Sequence, residues 1–210
     1  MSPKLRGAAL LAVAAVVVTG CSATTGGQAQ PASSTASNSA PDDTAGDPRA
    51  PKVAQPLDPS AYLGKPCSLV PPSALAPLHY QAAGEATPAG SGLDAAGPGC
   101  AWMIGAEGLS VQIIIGTGNR DQGIGGLAGI YRAKDSGQLR FVAPAPSVDG
   151  YPAVFGDTTD RRAKGDCNLW VGLADDLAFA AAAQGYQGEQ DSCQVAETVA
   201  GAVVGTLKGA

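Results

Sequence analysis

Cys100-Ala101-Trp102-Met103-Ile104-Gly105-Ala106-Glu107-Gly108-Leu109-Ser110-Val111-Gln112-Ile113-Ile114-Ile115 is the stretch on which the fold turns. Two strand-like runs, Cys100–Ile104 and Leu109–Ile115, flank a Gly-bounded tetrapeptide. Strands joined by so short a turn can only run antiparallel. In the second run Leu109, Val111, Ile113 and Ile115 alternate and so share one face of a sheet. Ile114 adds an apolar side chain on the other face, which predicts cover on both sides.

Downstream the pattern recurs. Cys167–Ala174 and Leu177–Ala183 read as a second hairpin across Asp175-Asp176, with Leu169, Val171 and Leu173 on one face. Leu139–Val142 reads as a strand, and Val148–Phe155 as an extended loop and strand around Gly150-Tyr151-Pro152. Residues 81–99, rich in Gly, Ala and Pro, read as loop. Pro71-Pro72 followed by Ser73–Ala76 opens a short helix, because Pro suits a first turn, and Pro77 limits it. Ile124, Leu127, Ile130 and Tyr131 recur at helical spacing over 122–132, although glycines weaken that helix. The last helix is the clearest. Asp191 is expected to cap it, with Gln194 completing a capping box, and Ala196, Val199, Ala200, Val203 and Leu207 form its buried stripe. The order of elements predicts a single α+β domain, an antiparallel sheet of about five or six strands with flanking helices.

The ends of this domain follow from composition. Lys4 and Arg6 precede an apolar run, Gly7–Val18, which closes on Val18-Thr19-Gly20-Cys21. A short apolar stretch behind a basic start is an export signal, too short for a permanent membrane span. Val-Thr-Gly-Cys resembles the bacterial lipobox, in which the thiol takes a diacylglyceryl group and becomes the new N-terminus. The expectation is a signal peptide over 1–20 and lipidation of Cys21, with the chain held at the extracytoplasmic face of the membrane by its acyl groups. The competing reading, an ordinary secretory signal with a chance Cys, is disfavoured because the apolar run, the small residues and the Cys all fall at the expected places. Residues 21–58, rich in Ser, Thr, Ala and Pro, carry too little apolar surface to offset ordering entropy and are expected to be a tether. Its root-mean-square span is roughly 35 Å. A plain spacer is favoured over a sugar-decorated or wall-threading segment. The folded domain is then 59–210.

Removing Lys4 and Arg6 leaves eleven basic against eighteen acidic residues, a net charge near −7. That balance argues against nucleic acid and against electrostatic attachment to anionic lipid. Four cysteines remain beyond Cys21. An even count in an exported chain implies disulfides, and three pairings are possible. Local loops favour Cys67 with Cys100 and Cys167 with Cys193, each stabilising by roughly 3.5 kcal/mol in the loop-entropy description. A metal site is disfavoured: there is no Cys-x-x-Cys, and the one His, His79, follows no ligand spacing.

Other candidate chemistry is weak. Gly123-Ile124-Gly125-Gly126-Leu127-Ala128 matches a dinucleotide fingerprint, but without its parallel strand–helix–strand frame, and no cofactor is expected. His79 has no paired nucleophile nearby and reads as a surface or helix-end residue. Asp157, Asp160 and Asp166 lack calcium-loop spacing and alternate with Arg161, Arg162 and Lys164, as in a solvated mixed-charge loop. Arg120, Arg132, Lys134 and Arg140, with those three, would form an anionic-ligand patch only if they converge, and Asp121, Asp135 and Asp149 dilute them. Trp102 and Trp170 lie on strands and read as core.

Several short motifs, in order, resemble an actinobacterial lipoprotein family catalogued as domain of unknown function 3558. They are Pro66-Cys67-Ser68-Leu69-Val70-Pro71, Cys100-Ala101-Trp102, Gly150-Tyr151-Pro152-Ala153-Val154, the Cys167 strand, and Asp191-Ser192-Cys193. The resemblance spans roughly 60–208. It implies an envelope location and a compact α+β domain similar to PsbP-like sandwiches, and it implies no reaction. With no catalytic, metal or cofactor signature, the expected role is non-catalytic binding or docking, to an envelope partner or an anionic lipid-like ligand. The alternatives are an envelope hydrolase with a site assembled from distant residues, and an accessory subunit of a membrane complex. The Gly-rich 122–132 helix is expected to leave a gap over the sheet, with Arg120 and Arg132 selecting an anionic end.

Overall fold

In a computed structural model of the chain, residues 47–88 and 95–209 are described. The expected signal segment, Cys21 and most of the expected tether lie outside them.

The hairpin at 100–115 forms as its sequence dictates: β2 (Gly99–Ile104) pairs antiparallel with β3 (Leu109–Ile115), Trp102 opposite Val111. The second hairpin, β6 (Cys167–Ala174) and β7 (Leu177–Gln184), turns at Asp175-Asp176. β7 then pairs antiparallel with β3, Ile113 opposite Ala181, which joins the two hairpins into one sheet. Two further strands, β4 (Phe141–Pro144) and β5 (Ala153–Asp157), extend it beyond β6. A short edge strand, β1 (Glu85–Thr87), lies on β2. The order is β1-β2-β3-β7-β6-β5-β4, antiparallel throughout, so the sheet has seven strands. The additional strand is β1, three residues within a stretch that reads as loop because only pairing with β2 makes it extended.

Register sorts the side chains into two faces. The first carries Val111, Ile113, Leu169, Val171, Leu173 and Phe179, all fully buried. It is covered by α4 (Gly188–Lys208), which buries Ala196, Val199, Ala200, Val203 and Val204. Leu207, expected in the same stripe, is only half-buried. The capping expectation is corrected: α4 begins at Gly188, no side chain caps it, and Asp191 sits inside its first turn with Glu189. The chain turns into the helix at Gly188, whose φ of +87 favours glycine, so Asp191 is already the fourth helical residue and cannot cap it. There the two carboxylates still meet the positive end of the helix dipole.

Two disulfides join this layer as expected. Cys67, in a 3-10 turn at Pro66–Leu69, bonds Cys100 on β2. Cys193 on α4 bonds Cys167 at the start of β6. The short helix α1 (Pro72–Leu75) forms and runs into a 3-10 turn that ends at His79.

The second face carries small side chains: Ala178, Ala180 and Ala182 on β7 and Gly172 on β6. Small residues let backbone elements come close. After α2 (Thr117–Asp121), α3 (Gly126–Asp135) lies here, with Leu127 and Ile130 packed on Val154 and Ala178. The helix starts later than its periodicity suggests. Gly125 is extended and Gly126 has φ +67, so Ile124 falls in the loop before it and is 43% exposed.

Residues 47–53 also cover this face, which corrects their assignment to the tether. Val53 is buried, its side chain beside Leu127 over Gly172, and the Leu57 amide donates to the Leu173 carbonyl. Composition averages over a window and hides one Val that finds a gap its own size. This segment, here the strap, is tied further by Arg49 to Asp135 and Lys52 to Asp175.

Candidate functional site

The glycines around α3 position the site. A Cβ on Gly125 would lie 2.1 Å from the Asp176 carbonyl oxygen, and one on Gly126 the same distance from that of Asp175. The dinucleotide-like run therefore serves close backbone packing of the helix start against the β6–β7 turn. Between this helix start, the turn and the strap lies a cavity of about 550 Å³. Its apolar wall includes Ala50, Pro51, Leu127 and Ala128, and its charged wall Arg120, Arg132 and Lys52 against Asp47, Asp175 and Asp176.

The charges do not cancel evenly. Asp47 pairs with Arg49, and that side-chain hydrogen bond lowers its pKa to about 2. Asp175 accepts the Val53 amide and the Lys52 ammonium, and both interactions hold its pKa below the usual carboxylate value. Arg132 donates to the Gly123 carbonyl at 3.1 Å. Among the described residues neither Arg120 nor Arg132 forms an ion pair. No side chain caps α3, so its first amide groups add partial positive charge to the same wall. Two guanidiniums and a helix start thus face a carboxylate set whose members Asp47 and Asp175 are already engaged.

A second cavity, of about 400 Å³, lies on the other side of α3, and Arg132 lines both. Its wall is mainly apolar, with Ile124, Ile130, Leu139 and Trp170. The Trp170 indole donates to the Gly156 carbonyl at 2.9 Å, which fixes the ring. A third cavity, of about 600 Å³, lies beside the Cys67–Cys100 bridge, where Trp102 and Tyr80 line it. The Tyr80 and Tyr186 hydroxyls are 2.8 Å apart, and burial first, then that bond, raises the Tyr80 pKa.

The seven basic residues do not converge. Arg120 and Arg132 meet at the first cavity, where Lys52 joins them. Lys134 donates to the Arg140 carbonyl. Arg161, Arg162 and Lys164 lie in the loop before β6, and Arg162 is no solvated charge: its guanidinium stacks on Phe141 at 4.5 Å and Phe155 at 5.2 Å and bridges Asp160 and Glu189. Arg161 pairs with Asp166, and Asp157 accepts from Thr158. Among the described residues no three His, Cys, Asp or Glu side chains are grouped as for a metal ion. His79 is exposed at the end of its 3-10 turn, at φ +65. Sequence reasoning missed Lys52 and Asp47 because they sit in a stretch of tether-like composition. The one signal available was Val53-Ala54-Gln55-Pro56-Leu57, two apolar residues in an otherwise polar run.

A family model described as a protein of unknown function, DUF3558, matches residues 16–206. The chain belongs to that family. The match covers the whole described part of the DUF3558 domain except its last residues, so both α3 cavities and both disulfides lie within it. No curated protein and no solved structure matches the chain.

Proposed function

We propose that this DUF3558 chain is an extracytoplasmic lipoprotein, anchored by lipid on Cys21, whose domain binds a ligand with an anionic end and performs no catalysis. The observation that carries the binding reading is the cavity beside α3, where Arg120 and Arg132 face open space without an ion-pair partner. Pockets of a few hundred Å³ with an apolar wall and a few convergent polar groups are the usual form of small-molecule sites. Two disulfides support the exported location, because such bonds persist in oxidising compartments. Among the described residues no helix is long and apolar enough to cross a membrane, so attachment would fall to the lipid. α4 seals the face of Leu169, Val171 and Leu173, and the cavity opens on the opposite, small-residue face, beside the Gly-rich helix from which the sequence expects a gap.

Two measurements test this. Cys21→Ala should leave the chain unprocessed or misrouted, and the N-terminal peptide of the natural chain should carry acyl mass starting at Cys21. A mature N-terminus elsewhere, without acyl mass, refutes the anchor. For binding, the whole mature chain bearing Cys21→Ala, and so free of detergent, is titrated calorimetrically with octyl phosphate. Binding should weaken at least tenfold in Arg120→Glu/Arg132→Glu, consistent with loss of two charge-assisted contacts of about 1.5 kcal/mol or more each. Absence of binding, or equal affinity in the variant, overturns the site.

A further inference from the structure

The two cavities beside α3 share a residue and differ in chemistry. The first is charged, with Arg120, Arg132 and the uncapped helix start. The second is lined by Ile124, Ile130, Leu139 and Trp170. The boundary between them is narrow. Gly123 and Gly125 line the first, while Ile124 between them lines the second. Arg132, held to the Gly123 carbonyl, lines both. The two cavities are thus separated by the backbone of Gly123-Ile124-Gly125, where the one side chain that lines both is the Arg132 guanidinium. Ile124 is one of two exposed large apolar side chains among the described residues, and it stands at this crossing.

We propose that the two cavities form one site for a single-chain anionic amphiphile. Its carboxylate or phosphate monoester head sits between Arg120 and Arg132, and its alkyl chain crosses Gly123 into the apolar cavity against Ile124, Leu139 and Trp170. This inference rests on the anionic-ligand reading of the first cavity and adds the second cavity and the ligand class. Cations and helix amides lie at one end, beside Asp47, Asp175 and Asp176, and an indole and branched aliphatic side chains at the other, beside Asn119, Ser136 and Gln138. A small anion would leave the second cavity unused. A neutral apolar ligand would leave Arg120 and Arg132 without an ion-pair partner among the described residues.

The test uses the same mature Cys21→Ala chain and two homologous series, alkanoates and alkyl phosphates of four to about twelve carbons, each below its micelle concentration. Affinity should rise about fourfold per added methylene until the second cavity is filled, and then level off. Which series binds more tightly identifies the head. Ile124→Glu, a change at an exposed position, should flatten the chain-length dependence. A chain brominated at its far end should quench tryptophan emission, and Trp170→Phe should abolish that quenching. Arg120-dependent binding that is indifferent to chain length and to Ile124→Glu overturns the amphiphile proposal and leaves the anion site standing. Failure of every member of both series to bind overturns both. Equal binding of an alkyl trimethylammonium ion would show that the chain, and not the charge, is recognised, and would also refute the proposal.

Discussion

Phe179→Ala is expected to lower the free energy of unfolding by about 4 kcal/mol, as large-to-small changes at sealed aromatic sites do. Phe179 is the largest fully buried side chain. It lies on the central strand β7, opposite Ile115 on β3 and Val171 on β6, where α4 closes over the sheet. A backbone paired on both sides cannot collapse to fill the void, so the cavity term adds to the lost transfer free energy. Met103→Ala is the control. Met103 is 67% exposed on β2, and its truncation should change stability by no more than about 0.5 kcal/mol. Urea unfolding followed by circular dichroism measures both. Similar midpoints for the two variants would refute the assignment of the core to the α4 face.

The Cys167→Ala/Cys193→Ala double variant should lose about 3.5 kcal/mol, the loop-closure value for a span of 26 residues. The bridge ties the first turns of α4 to the start of β6. Without it the unfolded chain gains freedom, and α4 keeps its place by apolar burial, the Arg162–Glu189 pair and the Lys208 hydrogen bond to the Asp149 carbonyl. The double change leaves no lone thiol to form wrong pairs. An unfolding midpoint equal to that of the natural chain, under the same non-reducing conditions, would show that the bridge does not constrain the unfolded state.

Most of the core-forming pattern is legible in the chain itself. Leu109–Ile115 alternates cleanly because one face of β3 meets α4 while the other meets smaller partners. In β7 the pattern is harder to read. Ala178, Ala180 and Ala182 share a composition with Ala181 and Ala183 but lie on the opposite face, and only pairing with β3 and β6 separates them. The glycines of α3 mislead in the same way. Helix propensity counts Gly126 and Gly129 as weaknesses, yet a Cβ on Gly129 would lie 1.7 Å from the Ile124 carbonyl oxygen. Their value is steric and appears only once the neighbouring backbone is in place. The first cavity was half legible, through Arg120 and Arg132. Its strap was not, because Arg49 and Lys52 act through Asp135 and Asp175, partners far away in sequence.

By itself the sequence determined the α+β class, both hairpins, the closing helix and the cysteine partners, since each depends on local period, short turns or a short loop. The tertiary structure alone decided that β7 joins the hairpins through β3, that residues 47–53 belong to the domain, and that the space beside α3 opens on the small-residue face and is walled by that strap. The physical reason is common to all three. They arise from backbone surfaces meeting at close range, where the absence of a side chain at Gly125, Gly126 and Gly172 matters as much as the presence of one, and a pattern of hydrophobicity along the chain carries no record of that fit.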